Sequence, residues 1–252
     1  MKKPNINLLA VIVAVPVIGM TIIAPALTII KNDLNISFEN TQLILTLYFT
    51  FLALGQILSG PFSDKYGRKP ILLLGASIYS ISAFFSSLSS NIEILLILRC
   101  FQGFGAAACL SVGRTILSDC YEIKEAAKEM SKMTAIMAVI PISCFIFGGF
   151  LAEFLGWRTN LLALGLISLI LIIAMSFLLN ETLIKKAKNI SFKKMYIVYR
   201  GLLKNLSFNF FTITTAMQTS MFFAMNGFMP YEFERKGVSV SEFGIWFSFT
   251  SL

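Results

Sequence analysis

Charged residues interrupt this chain rarely, and the stretches between them are long. No Asp, Glu, Lys or Arg occurs in 4–30, 40–63, 70–92, 133–152, 159–180 or 205–231. A helix that crosses a bilayer needs about 20 mostly apolar residues, and each stretch is long enough. The pattern predicts spans over 8–30, 41–63, 71–90, 92–118, 131–153, 159–179 and 206–228, with an eighth starting near 241. With a rise of about 1.5 Å per residue, Ser241 to Leu252 is too short to cross unaided, so the chain reads as ending inside a membrane helix. Lys2 and Lys3 precede the first run as they would in a signal peptide. The apolar part of such a peptide is only about 7–15 residues. This run is longer and no small-x-small site follows it, so it reads as a retained first helix.

Composition points the same way. Hydrophobic residues make up 56% of the chain and charged residues 13%, with a mean hydropathy of +0.78. A soluble domain carries about 25% charged residues, so an all-α integral membrane protein is expected. The absence of histidine removes Ser–His and Cys–His nucleophiles and histidine metal sites. With no clustered carboxylates and no soluble catalytic domain, a membrane enzyme or a seven-helix receptor has little to work with, and no cofactor or metal is expected. Cys100, Cys109, Cys120 and Cys144 lack CxxC spacing and read as small membrane-buried side chains.

The net charge of +8 is unevenly distributed. One side of the predicted topology holds Lys2, Lys3, Lys65, Arg68, Lys69, Lys124, Lys128, Lys132, Lys185, Lys186, Lys188, Lys193, Lys194, Arg200 and Lys204. The other holds Lys31, Arg158, Arg235 and Lys236. The positive-inside bias puts the N-terminus and the loop after the sixth span in the cytoplasm. The expected location is a bacterial-type cytoplasmic (inner) membrane, with the lipid bilayer as partner and no nucleic acid. The polar segment between spans six and seven divides the chain into a six-helix bundle (1–180), a basic cytoplasmic linker (181–204) and the start of a second bundle (205–252).

The linker between spans two and three reads "GPFSDKYGRKP", from Gly60 to Pro70. Asp64 and Arg68 are spaced i,i+4 and can pair on one helical turn. Gly60 and Gly67 would allow a close helix approach and a tight bend, and Pro70 can open the next helix. As composition this is an ordinary charged turn. Its residue order resembles the G-x-x-x-D-x-x-G-R-[KR] signature of the major facilitator superfamily. "LRCFQGFGAAA" (98–108), "GRTILSDCYE" (113–122), "FGGFLAEFLGWR" (147–158) and "GFMPYEFERKGVSVSEFG" (227–244) are similar to the Bcr/CflA branch of drug:proton antiporters. The resemblance covers nearly the whole chain. It implies the N-terminal six-helix bundle of that fold plus span seven and part of span eight. It also implies a latch built from Gly60, Asp64, Gly67, Arg68 and Lys69, with Asp119 near Arg68. For Asp119 and Arg114 an ordinary solvated helix face stays open.

Arg99 lies about 10 Å along a fourth helix that starts near Ile92. An arginine held in a membrane costs at least about 2.5–3.5 kcal/mol, and such residues usually face a bundle interior or cavity. Snorkelling to the outer headgroups is the alternative. Gln102 and Gly103 follow at i+3 and i+4, and Gly103 with Ala107 forms a small-xxx-small surface. The resemblance implies a transport or coupling role for Arg99, Gln102 and Gly103, and helix-packing roles for Pro25, Pro141, Gly148 and Gly149. It implies a cavity between spans one, two, four, five and seven. Tyr48, Gln56 and Met137 are candidate lining residues alongside Arg99 and Gln102, with plain packing as the other reading.

Two positions depart from the antiporter pattern. Thr21 stands where the branch has an acid, before "PAL", and no carboxylate lies at mid-depth in any predicted span. Cys144 and Phe145 replace the Gly-Pro or Ala-Pro ahead of Gly148 and Gly149. The expected function is export of small drug-like amphipathic molecules by alternating access, with the proton gradient as energy source. The alternatives are a truncated, non-transporting remnant and one half of a split transporter whose partner is a separately encoded C-terminal half.

Overall fold

The computed structural model describes residues 3–187, 190 and 192–249. Lys2 and Lys188, counted on the basic side above, and positions 250–252 of the eighth predicted span lie outside them. All regular structure among the described residues is helical. Among the described residues six helical stretches are long and apolar enough to cross a membrane, which makes this a multi-pass membrane protein.

The first span is broken. Helix α1 (Ile6–Thr21) ends at a single 3-10 turn, Ala24–Ala26, and α2 (Leu27–Asp33) completes the crossing. The first span expected over 8–30 is present within Ile6–Asp33, with a 3-10 turn inside it. Pro25 sits at the start of the 3-10 turn, where its missing N–H does no harm. The second to sixth spans are α3 (Phe38–Tyr66), α4 (Arg68–Ser87), α5 (Ile92–Cys120), α6 (Ile123–Leu155) and α7 (Trp157–Leu178). Asparagine or serine side chains cap several starts: Asn5 on α1, Ser37 on α3 and Asn91 on α5 accept from first-turn amides. Helix α6 begins eight residues before the predicted span because its added turns are polar, lysine-rich and exposed.

The broken first span is the core of the bundle, packed on α5 and α6; α5 also packs on α3 and α4, and α4 on α7. Small residues set these approaches. A Cβ on Gly105 would lie 2.5 Å from the Gly75 carbonyl oxygen, and one on Gly55 2.6 Å from the Ala107 Cβ. Gly103 abuts the backbone of Tyr48 and Leu52, so the expected Gly103–Ala107 surface is the α3–α5 contact.

After the sixth span come α8 (Phe192–Lys204), α9 (Leu206–Arg235) and α10 (Val240–Ser248). The seventh predicted span is thus helical. Its threonines, serines, asparagines and glutamine leave it outside the six strongly apolar stretches. At the end of the bundle away from the lysines, α9 and α10 are joined to the first, second and fifth spans. Gln42 Nε2 donates to the Gly227 carbonyl at 2.6 Å, the Phe38 and Tyr231 rings meet edge-on at 4.7 Å, and Ser241 N–H donates to Glu153 at 2.6 Å. Toward the lysine-rich end, residues 206–221 of α9 are almost all exposed. The two groups of helices are closed at one end and splayed at the other.

Candidate functional site

The break in the first span determines what its neighbours must supply. The Ile23 N–H turns to the Met20 carbonyl and the Ala26 N–H to the Ile23 carbonyl. The Gly19 and Ile22 carbonyls thereby lose their usual i+4 donors, and in a dry interior each must find another. Arg99 supplies the first and Asn160 the second. The Arg99 guanidinium donates to the Gly19 carbonyl at 3.2 Å, and Asn160 Nδ2 donates to the Ile22 carbonyl at 2.8 Å and to the Gly148 carbonyl at 3.1 Å.

Arg99 has no solvent exposure, so the snorkelling reading is corrected: the side chain turns inward. It also donates to Gln102 Oε1 at 2.5 Å and to the Ile44 carbonyl at 3.4 Å, and lies 4.7 Å from the centre of the Tyr48 ring. The Tyr48 hydroxyl donates to the Pro16 carbonyl at 2.9 Å. Gly19 makes room for this arrangement, because a Cβ there would come within 2.8 Å of the Tyr48 hydroxyl and would collide with that of Tyr79. The result is a fully buried cation held by neutral dipoles and one aromatic face, with no carboxylate bonded to it among the described residues. Tyr79 Oη and Gln102 Nε2 are buried beside it without a hydrogen-bond partner.

The candidate lining residues separate. Tyr48 is fully buried in this cluster, and Met137 is half-buried against the core. Gln56 is exposed two turns along α3, about 12 Å from Tyr48. Thr21 donates to the Val17 carbonyl at 2.8 Å and also hydrogen-bonds the Cys144 side chain on α6, so two of the positions that depart from the antiporter pattern meet.

Glycine and proline positions on the fifth span resolve clearly. Pro141 is buried within α6. Gly148 abuts the Ile22 carbonyl at the break, and the next residue, Gly149, faces α10, where a Cβ would lie 2.7 Å from the Val240 carbonyl oxygen. Phe145, a departure from the antiporter pattern, stacks edge-on with Phe247 of α10 at 5.1 Å.

At the lysine-rich end, Gly67 adopts φ 113°, a left-handed backbone that favours glycine, and so makes the bend between α3 and α4. Gly60 plays no such part: it lies inside α3, with no atom within 4 Å of where a Cβ would be. The close approach expected there is corrected. Arg68 is 5% exposed and joins three elements. It donates to Asp64 at 2.6 Å, Asp119 at 2.8 Å and Ser63 Oγ at 2.6 Å. Lys69 Nζ donates to the Ser176 carbonyl at 2.7 Å. Arg114 is solvent-exposed on the same stretch of α5.

Glu181 was not foreseen in this network. Its carboxylate accepts from the Arg68 N–H at 2.9 Å and the Lys69 N–H at 3.3 Å, capping the otherwise open start of α4. It is the sole acid between Glu153 and Glu232, a signal the sequence did offer. Asn160, the sole amide within 159–179, is a second such signal.

The Major Facilitator Superfamily pattern matches residues 9–252. The chain belongs to that superfamily. A bicyclomycin resistance protein homolog of Haemophilus influenzae is 30% identical over 174 residues, 69% of this chain and 44% of that protein. A chloramphenicol resistance protein of Pseudomonas aeruginosa is 29% identical over 233 residues, 92% of this chain and 55% of that protein. The fold matches a bacterial homolog of the human lysosomal transporter Spinster, solved inward-facing and unoccupied, with a TM-score of 0.78 and 21% identity. That match covers 96% of this chain and 58% of the solved one. The chain spans about half the length of these relatives. The resemblance to drug-resistance proteins stands.

Proposed function

We propose that this chain forms the first bundle, and the start of the second, of a secondary transporter that exports small amphipathic drug-like molecules by alternating access. The carrying observation is Arg99: a fully buried guanidinium that serves a carbonyl freed by a broken first span. Broken helices inside transporter bundles mark substrate and ion sites, and a buried intramembrane charge is retained for function. The drug-resistance names of the relatives support the substrate class.

In this reading the lysine-rich end faces the cytoplasm of a bacterial inner membrane, so the splayed end opens inward. The partners are the lipid bilayer, a small-molecule substrate and a complementary second bundle, in the same polypeptide or a separate one. The proton gradient supplies the energy. Thr21 stands where the antiporter pattern has an acid, so the titrating group is assigned elsewhere than position 21.

The test is dye accumulation by proteoliposomes under an imposed pH gradient, using the complete protein. Accumulation above empty vesicles, lost in Arg99→Met, is expected. No excess over empty vesicles refutes the transporter, whereas excess that survives collapse of the gradient refutes only the proton drive.

A further inference from the structure

Helix α8 lies at the edge of the six-span bundle, which it meets at the Ile57 carbonyl of α3. Its sequence, FKKMYIVYRGLLK, is the most strongly amphipathic in the chain. At 3.6 residues per turn, Met195, Tyr196, Val198, Tyr199, Leu202 and Leu203 share one side. Lys193, Arg200 and Lys204 fall within about 40° of one another on the flank, and Ile197, Gly201 and Lys194 follow beyond them. The apolar side is uncovered: Tyr196 is 65% exposed and Leu203 68%. No acidic residue occurs from Thr182 to Tyr231, while Lys185, Lys186, Lys193, Arg200 and Lys204 all lie there.

We infer that α8 is an interfacial helix that seats its apolar side in an anionic phospholipid surface, with Lys193, Arg200 and Lys204 on the headgroups. Apolar area beside a basic flank, with low net hydrophobicity, is the signature of a helix lying in the membrane plane. Depth favours lipid over a soluble acidic partner. The Tyr199 hydroxyl donates to the Ile57 carbonyl at 3.4 Å, and Ile57 lies six residues, about 9 Å, inside the predicted end of the second span. An interfacial helix buries its apolar face about 5–10 Å into the headgroup boundary. The helix is also tethered close to the latch: the Ala187 N–H donates to the Asp64 carbonyl at 2.8 Å, and Glu181 caps α4.

The test uses the full chain in nanodiscs of phosphatidylcholine alone or with one quarter phosphatidylglycerol, reading hydrogen exchange of amides 195–204. A disc offers both leaflets, so the result does not depend on orientation or on the cargo. Each basic residue near an anionic surface is worth about fivefold in partitioning, roughly a hundredfold for three. Exchange at least about tenfold slower with phosphatidylglycerol is expected, with the difference erased by high salt and by combined Lys193→Gln, Arg200→Gln and Lys204→Gln. Equal exchange in both lipids overturns the inference. So does a difference that survives both salt and the triple variant, or protection that appears only when an acidic protein is added, alike in both lipids.

Discussion

Asn160→Asp keeps the shape of the side chain and reverses one hydrogen-bonding atom. In the native protein the amide gives two bonds, to the Ile22 carbonyl at 2.8 Å and the Gly148 carbonyl at 3.1 Å, with no exposure to solvent. A carboxylate there presents oxygen to two carbonyl oxygens. The Gly148 carbonyl lies inside α6 and keeps its helical partner, but that of Ile22 has lost its own to the 3-10 turn. Two net bonds at about 0.5–1.5 kcal/mol each, with one buried acceptor left bare at about 1–3 kcal/mol, bound the loss. Interhelical bonds in membranes average nearer ~0.6 kcal/mol, so the hydrogen-bond part sits at the lower end, about 2 kcal/mol, and burying an acid in a dry interior makes that a minimum at neutral pH. That corresponds to roughly 5 °C in midpoint for a chain of this size. The chain carries its own reporter in Cys109, which is buried and free, so a thiol-reactive dye follows unfolding during heating. The deficit should shrink in acid, where a protonated carboxyl regains one donor. A variant as stable as the parent at neutral pH, or equally destabilised at every pH, refutes the account of the break.

Three further predictions use other contacts. Gly103→Ala should lose about 1–3 kcal/mol through overpacking, because its Cβ would meet α3 backbone, whereas Gly60→Ala should be neutral or gain about 0.5–1 kcal/mol; equal midpoints for the two would sink the contact argument. Asp119→Asn should cost about 1–2 kcal/mol, discounted for a side chain 23% exposed, and a double-mutant cycle with Arg68→Met should give coupling above about 0.5 kcal/mol; zero coupling means the latch is decorative. Arg99→Lys keeps the charge but offers a compact ammonium where a planar fork now reaches Gly19, Ile44 and Gln102; dye accumulation should fall at least about tenfold, and wild-type rates would show that charge alone suffices.

Much of the fold was legible because charge is so scarce. Runs free of ionisable residues gave the spans to within a few residues, except where α6 carries polar turns before its apolar stretch and where α9 continues seven residues past the predicted end, to Arg235. The i,i+4 spacing of Asp64 and Arg68 gave their pair directly, and resemblance supplied Asp119. The break in the first span was less readable: Pro25 alone fits an intact kinked helix as well as a 3-10 turn. Arg99 was singled out by its charge, but not which carbonyl it serves, since that depends on where the first span comes apart. Gln56 and Met137 illustrate the opposite limit, because periodicity does not say which face of a span looks inward. Glu181 and Asn160 were missed although each is isolated in a stretch lacking its kind, and isolation of that sort marks a residue with a specific partner.

The cap that Glu181 places on α4 bears on where a self-sufficient fragment of this protein could end. A six-span piece cut after Asn180 would keep the six crossings of the first bundle yet strip the carboxylate from the start of the third span, beside a bent glycine and a shielded guanidinium. The smallest autonomous unit therefore extends through the first residues of the connector, and trimming at the apparent lipid boundary would yield a looser fold than trimming a few residues later.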